Sequence, residues 1–315
     1  MHAVGVDIGG TKIAAGVVDE EGRILAKTRR STSPDDVASI DRAIAEVYEE
    51  FSEQYAVGAV GVAAAGFVST DRNTVLFAPN IAWRDHAIGD AVRGLVGADV
   101  RVVVENDANA AGWAEFRFGA GRDAADMLML TIGTGLGGAV VTDGKLVRGR
   151  WGFAAEVGHV RVVPDGHVCG CGHNGCWEQY ASGSALVREA RAAAVADPAR
   201  AADLLRRAGG DPHAVSGPDV TAAAEAGDEL ARALIAELGR WIGEGAASMA
   251  AVLDPEIVVV GGGVADAGDL LFPSVNAGFL AQLSARGHRP EAPIVGATLG
   301  NDAGIVGAAD LARQD

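Results

Sequence analysis

The sequence predicts a two-domain α/β protein, and three observations carry that prediction. The chain has 315 residues, above the size at which one hydrophobic core stops growing. Short apolar strand patterns and amphipathic helical patterns both recur along it. One arrangement also occurs twice. "DIGGTKIAAGVVDEEGRIL" at 7–25 can be laid beside "TIGTGLGGAVVTDGKLV" at 131–147, with Asp7 opposite Thr131, Ile8 opposite Ile132, Gly9 opposite Gly133 and Gly10 opposite Thr134. Each copy reads as apolar strand, small-residue turn, second strand, glycine turn and third strand. Either two glycine-rich hairpins are alike by chance, or the fold is duplicated and each half offers one glycine turn to a shared ligand.

Taken in order, "AVGVDI", "KIAAGVVD" and "RILAKT" are three strands separated by "GGT" and "EEG". Ser33 is placed to cap a helix with Pro34 in its first position, and Val37, Ile40, Ile44, Val47 and Phe51 then share one face. "VGAVGVAAAG" and "VRVVVE" read as buried strands. The Ala-rich stretch from residue 180 to Leu253 is mostly helical, "EIVVVGGG" at 256–263 is a strand ending in glycines, and a helix over 303–313 closes the chain.

Composition narrows the function classes. Hydrophobic residues make up 49% and charged residues 22%, an ordinary globular balance. The net charge of −16 and the lack of a basic stripe exclude a nucleic-acid partner; "KTRR" at 27–30, the densest basic cluster, reads as a solvated strand end. An anionic ligand must then be held by backbone N–H groups and a metal ion. The longest uncharged apolar run, "VGAVGVAAAGFV" at 57–68, is too short and too rich in Gly and Ala to span a bilayer. With no secretory pattern at the N-terminus, the expectation is a cytoplasmic enzyme or binding protein without a membrane partner.

The glycine turns suit phosphate, because successive backbone N–H groups in a turn form an anion-binding concavity. Asp7 ends a buried strand beside "GGTK", where an acid is costly unless it binds something; water-mediated Mg²⁺ is the natural candidate. Thr11 and Lys12 are placed to reach phosphate oxygens. Neither a P-loop nor a Rossmann fingerprint fits: Gly133, Gly135 and Gly138 match G-x-G-x-x-G, but a strand follows where that motif requires a helix.

All three cysteines lie within "HVCGCGHNGCWEQY" at 167–180, and "EVGH" upstream gives the spacing His159-x9-Cys169-x-Cys171-x4-Cys176. One His and three Cys are a complete tetrahedral donor set for structural Zn²⁺, with buried inert thiols as the alternative. Glu156 and Glu178 flank this segment and could accept from the hydroxyls of a ligand; plain surface carboxylates are the other reading. His159 has a second ring nitrogen that can face a ligand while the first binds metal. In "ENDANAAG", Asn106 or Asp107 could be a helix N-cap, and spacing alone leaves that open.

"VDIGGTK" followed by "TIGTGLGG" resembles the two phosphate loops of the sugar-kinase, actin and Hsp70 superfamily. "ENDANAAGWAE" at 105–115 and the cysteine segment narrow the resemblance to the ROK family, within which the chain is most similar to bacterial glucokinases. The resemblance implies two ribonuclease-H-like α/β domains with an active-site cleft between them. The smaller would take 1–107 plus about 300–315 and the larger 108–299, including the zinc loop at 156–178. It implies transfer of the γ-phosphoryl of ATP to the 6-hydroxyl of a hexose, here glucose. Asp107 would be the general base, Asn80 and Asn106 sugar-hydroxyl ligands, and Gly66 a backbone contact. Glu156, His159 and Glu178 would meet the hexose around C1 and C2. The Gly9–Thr11 and Gly133–Gly135 backbones, Thr134 included, would hold the phosphates with Mg²⁺ bridging them. Gly262 and Gly263 would form the adenosine turn, which is otherwise an ordinary strand-to-helix turn. His159, Cys169, Cys171 and Cys176 would bind structural zinc. A homodimer or homotetramer is also implied.

Two positions depart from the family pattern: "AAGFV" stands where many members have Pro-Gly, and Ala155 where a glycine usually precedes "EVGH". Both changes are conservative in volume. The competing readings are a kinase for mannose, N-acetylglucosamine or N-acetylmannosamine, and a sugar-sensing repressor. The repressor is disfavoured by the acidic charge and by a first phosphate loop that starts at residue 7.

Overall fold

The computed structural model describes residues 1–314. Its elements in chain order are β1 (His2–Ile8), β2 (Lys12–Val18), β3 (Ile24–Ser31), α1 (Val37–Ser52), β4 (Val57–Ala64), β5 (Phe67–Val68), β6 (Val75–Phe77), β7 (Arg84–His86), α2 (Ile88–Val96), β8 (Arg101–Asn106) and α3 (Asp107–Phe118). There follow β9 (Met127–Ile132), β10 (Leu136–Thr142), β11 (Lys145–Leu146), α4 (Gly183–Ala196), α5 (Ala202–Arg207), α6 (Gly217–Glu225), α7 (Glu229–Leu253), β12 (Ile257–Gly261), α8 (Phe272–Gln282), β13 (Ile294–Gly296) and α9 (Ala303–Arg313).

Two five-stranded sheets have the same plan. One runs β3-β2-β1-β4-β8 and the other β11-β10-β9-β12-β13, with a small sheet β5-β6-β7 beside them in sequence. In the first, β1–β2 and β2–β3 are antiparallel, while β4 and β8 join in parallel. In the second, β10–β11 is antiparallel, and β12 pairs in parallel with β9 and β13. The sequence echo between 7–25 and 131–147 is thus an echo of strand order.

Two compact units divide the chain. One comprises Met1–Ala125, Ala139–Ala155 and the segment from Thr298 onward; the other comprises Asp126–Gly138 and Glu156–Ala297. The first differs from the expected 1–107 plus about 300–315 by also holding α3, the residues after it to Ala125, and Ala139–Ala155; for α3 the physical reason lies in two contacts. Trp113 of α3 donates from Nε1 to Asp310 of α9 at 2.8 Å. Glu115, with no exposed surface, accepts from Ala120 N, Thr298 N, Leu299 N and Thr298 Oγ1 at 2.7–3.1 Å. Four donors on one buried carboxylate hold its charge in place and tie the returning chain to α3.

Alternation along β1 builds the layers of this unit. Val4, Val6 and Ile8 pack with Ile40, Ile44, Val47 and Phe51 of α1 and Ile88 and Val92 of α2. Ala3 packs on the opposite face with Ala114 of α3 and Ile305 and Ala309 of α9. A Cβ on Gly5 or Gly61 would fall 1.9 Å from Ile305 O or 1.8 Å from Ala308 O, so α9 lies closer to the sheet than any side chain would permit. The cap of α1 is Asp36, whose side chain accepts from Ser39 N at 3.0 Å, not Ser33 as the sequence suggested. Pro34 is held outside the helix, where its carbonyl accepts from Ala82 N at 2.9 Å.

In the second unit, α4 to α7 fill the stretch expected to be helical, and α7 ends at Leu253 where Asp254 turns left-handed (φ 47°). Trp177 is fully buried and donates from Nε1 to Trp241 O of α7 at 2.8 Å, which anchors the chain immediately after Cys176. Among the described residues, no helix is long and apolar enough to cross a membrane.

Candidate active site

In the first unit, the strand β8 runs straight into α3, and the junction sorts out Asn106 and Asp107. Asn106 is extended and caps the helix, its Oδ1 accepting from Asn109 N at 3.0 Å, while its Nδ2 donates to Gly66 O at 3.1 Å. The N-cap reading therefore holds for Asn106, and Asp107, the first residue of the helix, is released from that task. Asp107 is half-buried and accepts from Ala108 N at 2.9 Å; burial pushes its carboxyl above the usual range. Asp7, at the end of β1, is pushed up to about 6 by burial first and by the charge of Asp107 second. Two carboxylates both raised in proton affinity, one of them partly by the charge of the other, mark a place where a cation would be welcome.

Around them lie the other expected residues of this unit. Gly9 N donates to Lys12 O at 2.9 Å and closes the turn, and Thr11 O accepts from Thr32 N at 3.1 Å. Gly10 lies in van der Waals range of Asn80: a Cβ on it would be 3.7 Å from Asn80 O. Thr11 and Lys12 are exposed. At Gly66 a Cβ would meet Phe77 O at 2.4 Å, so the position is closed to larger residues whatever precedes it.

In the second unit the four expected metal ligands converge. The donor atoms of His159, Cys169, Cys171 and Cys176 all lie within 4.8 Å of one another. His159 Nδ1 is 3.7 Å from Cys169 Sγ, and Cys171 Sγ is 3.6 Å from Cys176 Sγ. A zinc tetrahedron with metal–sulfur distances of about 2.3 Å has donor–donor edges of about 3.8 Å, so the donor set and its spacing fit zinc. The sulfurs are too far apart for a disulfide, and the cysteines are free. Facing Nδ1 toward the sulfurs leaves Nε2 as the second ring nitrogen of His159.

Glu178 joins this cluster to the second glycine turn. Its Oε1 accepts from Cys169 Sγ at 3.6 Å and its Oε2 from Leu136 N at 3.2 Å. A Cβ on Gly135 would lie 2.3 Å from Glu178 Oε2. The spacing of the cysteines had suggested only that Glu178 follows the metal loop; its contact with the Gly133–Leu136 turn is a long-range fact that spacing could not carry. Glu156, half-buried, opens a short turn in which His159 N donates to its carbonyl at 3.1 Å.

The Gly133–Leu136 turn borders a cavity of about 910 Å³ that lies wholly within the second unit. Gly133, Thr134, Gly263 and Val264 are among the residues that line it. Gly262 has φ +84°, and a Cβ there would strike Ile132 O at 2.4 Å, which lets Val264 N donate to Ile132 O at 3.1 Å. Two wall residues, Gly183 and Ser184, were missed from sequence. They begin α4, and their N–H groups donate to Gly133 O (2.8 Å) and Thr134 O (3.3 Å). The available signal was Ser182, a side-chain cap accepting from Ala185 N at 3.2 Å ahead of an Ala-rich helix. A volume of this order suits a nucleoside-sized ligand, with a glycine turn at one end for its phosphates.

Comparison with known proteins identifies the family and the fold. The sequence profile of the ROK family matches residues 3–315. The chain is 49% identical over 311 residues to a glucokinase of Streptomyces coelicolor, covering 99% of this chain and 97% of the relative. A ROK family glucokinase from Streptomyces griseus, solved in complex with glucose and AMPPNP, superposes with a TM-score of 0.89 at 51% identity over all of both chains. The ROK hexokinase of Thermus thermophilus superposes with a TM-score of 0.79 at 34% identity, covering 98% and 97% of the two chains.

Proposed function

Because the chain belongs to the ROK family, we propose that it is an ATP-dependent glucokinase, converting D-glucose and ATP to glucose 6-phosphate and ADP. The observation that carries this reading is the near-full-length likeness to glucokinases, one of them holding glucose and an ATP analogue.

Phosphoryl transfer is mostly alignment and charge neutralisation. Asp107 takes the proton of the glucose 6-hydroxyl as that oxygen bonds to the γ-phosphorus and the bond to the β–γ bridging oxygen breaks, releasing ADP. Burial raises its proton affinity above that of an ordinary carboxylate, which strengthens it as a base, and such a group contributes about 10²–10⁴-fold. Asn80, Asn106 and the Gly66 backbone are assigned to glucose from the first unit, and Glu156, His159 and Glu178 from the second. Gly9, Gly10, Thr11 and Lys12 are assigned to phosphate from the first unit. Gly133, Thr134 and Gly135 take phosphate from the second, with Gly262 and Gly263 toward the nucleoside. Asp7 would hold Mg²⁺ through water, and that ion supplies neutralisation of the phosphate charge when bound. Zinc on His159, Cys169, Cys171 and Cys176 is assigned a structural role. It fixes the loop from which Glu178 reaches the Gly135 turn. A cytoplasmic location and a homodimer or homotetramer complete the reading.

An ADP-release assay over glucose, mannose, N-acetylglucosamine and N-acetylmannosamine, with zinc measured on the same preparation, tests it. The expected result is the highest kcat/KM for glucose and zinc bound at one per chain. Preference for another sugar would move the substrate, and no ADP release with any hexose would remove the kinase reading altogether.

A further inference from the structure

Two residues before Asp107 in the chain, a buried carboxylate centres an ionic cluster that the proposed mechanism does not use. Glu105, 3% exposed, divides its two oxygens. Oε1 accepts from Asn106 N at 3.2 Å and Asn109 Nδ2 at 3.1 Å, which clamps the junction where β8 becomes α3. Oε2 accepts from Arg148 Nε at 2.6 Å, with Arg72 Nε 3.5 Å away. Arg72 in turn accepts at its carbonyl from Val104 N at 2.9 Å, on the same strand. A buried carboxylate between two guanidiniums is seldom a net source of stability, since desolvation offsets most of the attraction. Its contribution is therefore sought in geometry.

Arg148 opens the loop 148–155 that leads directly into Glu156. Ala154 N donates to Arg148 O at 3.1 Å and folds that loop back on itself. Phe153 meets Phe67 edge-on with ring centroids 5.0 Å apart, and Gly152 lies so close to Val68 that a Cβ would be 2.3 Å from its carbonyl oxygen. Phe67 follows Gly66, whose carbonyl receives Asn106 Nδ2. The contacts therefore close a ring within the first unit, from Glu105 to Arg148, along the loop to Phe153, across to Phe67 and Gly66, and back through Asn106. Asp107 directly follows Asn106 at the junction this ring passes through.

We propose that Glu105 and Arg148 are positioning residues that lock the loop 148–155 to the β8–α3 junction and so set the aim of Asp107. This rests on the reading of Asp107 as the base of a glucokinase. Neither residue touches the reacting atoms; each acts through the backbone of Asn106 and through the loop. Displacement of a reacting group by about 1 Å costs on the order of 10²-fold in rate, so a loosened junction lowers kcat ahead of ATP affinity.

The test is a double-mutant cycle of Arg148→Met and Glu105→Gln, with Arg148→Lys as the conservative variant, assayed for kcat and for the KM of ATP. Each single variant is expected to lose about tenfold or more in kcat with the ATP KM within about twofold of wild type. The double variant is expected to be no worse than its poorer parent, and Arg148→Lys to recover part of the loss. Losses that multiply in the double variant, or a kcat within about twofold of wild type in either single variant, overturn the proposal while leaving the glucokinase reading intact. Wild-type enzyme inactive on every hexose removes the functional reading instead. Should Arg148→Met fail to fold, Glu105→Gln and Arg148→Lys decide: the first must lose kcat and the second must retain more than the first.

Discussion

Asp7→Asn should make the ligand-free protein more stable and the enzyme inactive, and the size of the gain follows from the surroundings of the carboxyl. Its proton affinity is raised from 3.8 to about 6, by burial and then by Asp107. The native state therefore holds more protons than the unfolded chain between these values, and stability falls as pH rises through the window. Fully expressed, the cost above pH 6 is about 3 kcal/mol at about 1.4 kcal/mol per pH unit. Asp7 is only half-buried, so solvent screening reduces this to about 1–2 kcal/mol. Asn keeps the shape and never carries the charge. Urea unfolding without added Mg²⁺ or nucleotide, with zinc left in place, should show the variant about 1–2 kcal/mol more stable than wild type at pH 7.5, and the advantage should shrink toward zero at pH 4. A variant less stable at pH 7.5, or an equal gain at both pH values, would refute the claim that Asp7 is an uncompensated charge awaiting a cation.

Further outcomes follow from other contacts. Cys176→Ser should abolish stoichiometric zinc and lower kcat/KM for glucose by about 10–100-fold, because Glu178 loses its fixed loop; metal analysis beside the coupled assay checks this. Ala155→Gly should raise the urea midpoint. The φ of +68° at Ala155 costs an L-residue about 1–2 kcal/mol, more than the roughly 0.5–1 kcal/mol that glycine loses in chain entropy. Trp113→Phe removes the donor that Asp310 receives at 2.8 Å and should destabilise by about 1–3 kcal/mol, read from the same unfolding curves.

What the sequence revealed depended on how far apart the partners lay. The four zinc ligands were readable because three fall within eight positions and the fourth shortly before them, and they converge as the spacing implied. The duplicated hairpins were readable because strand and turn residues are local, and both sheets repeat one strand order. The cap of α1 was misplaced by three residues: Pro34 was read as a first helical residue, but its carbonyl is engaged by Ala82, a partner no local pattern announces. Ala155 was judged by volume, whereas its positive φ is what a glycine there would serve. Glu105 was read as the end of a buried strand, and Glu115 only as the last residue of the motif "ENDANAAGWAE". Their importance lies in Arg148, Thr298 and Leu299, which are 43, 183 and 184 positions away.

The most direct test is turnover of Asp107→Asn measured together with its glucose affinity. Asn preserves the volume and the start of α3 but cannot take the hydroxyl proton. The expected result is a kcat lowered by about 100-fold or more, with the glucose Kd within about twofold of wild type. Near-normal turnover with glucose binding intact would contradict the assignment of Asp107 as the base.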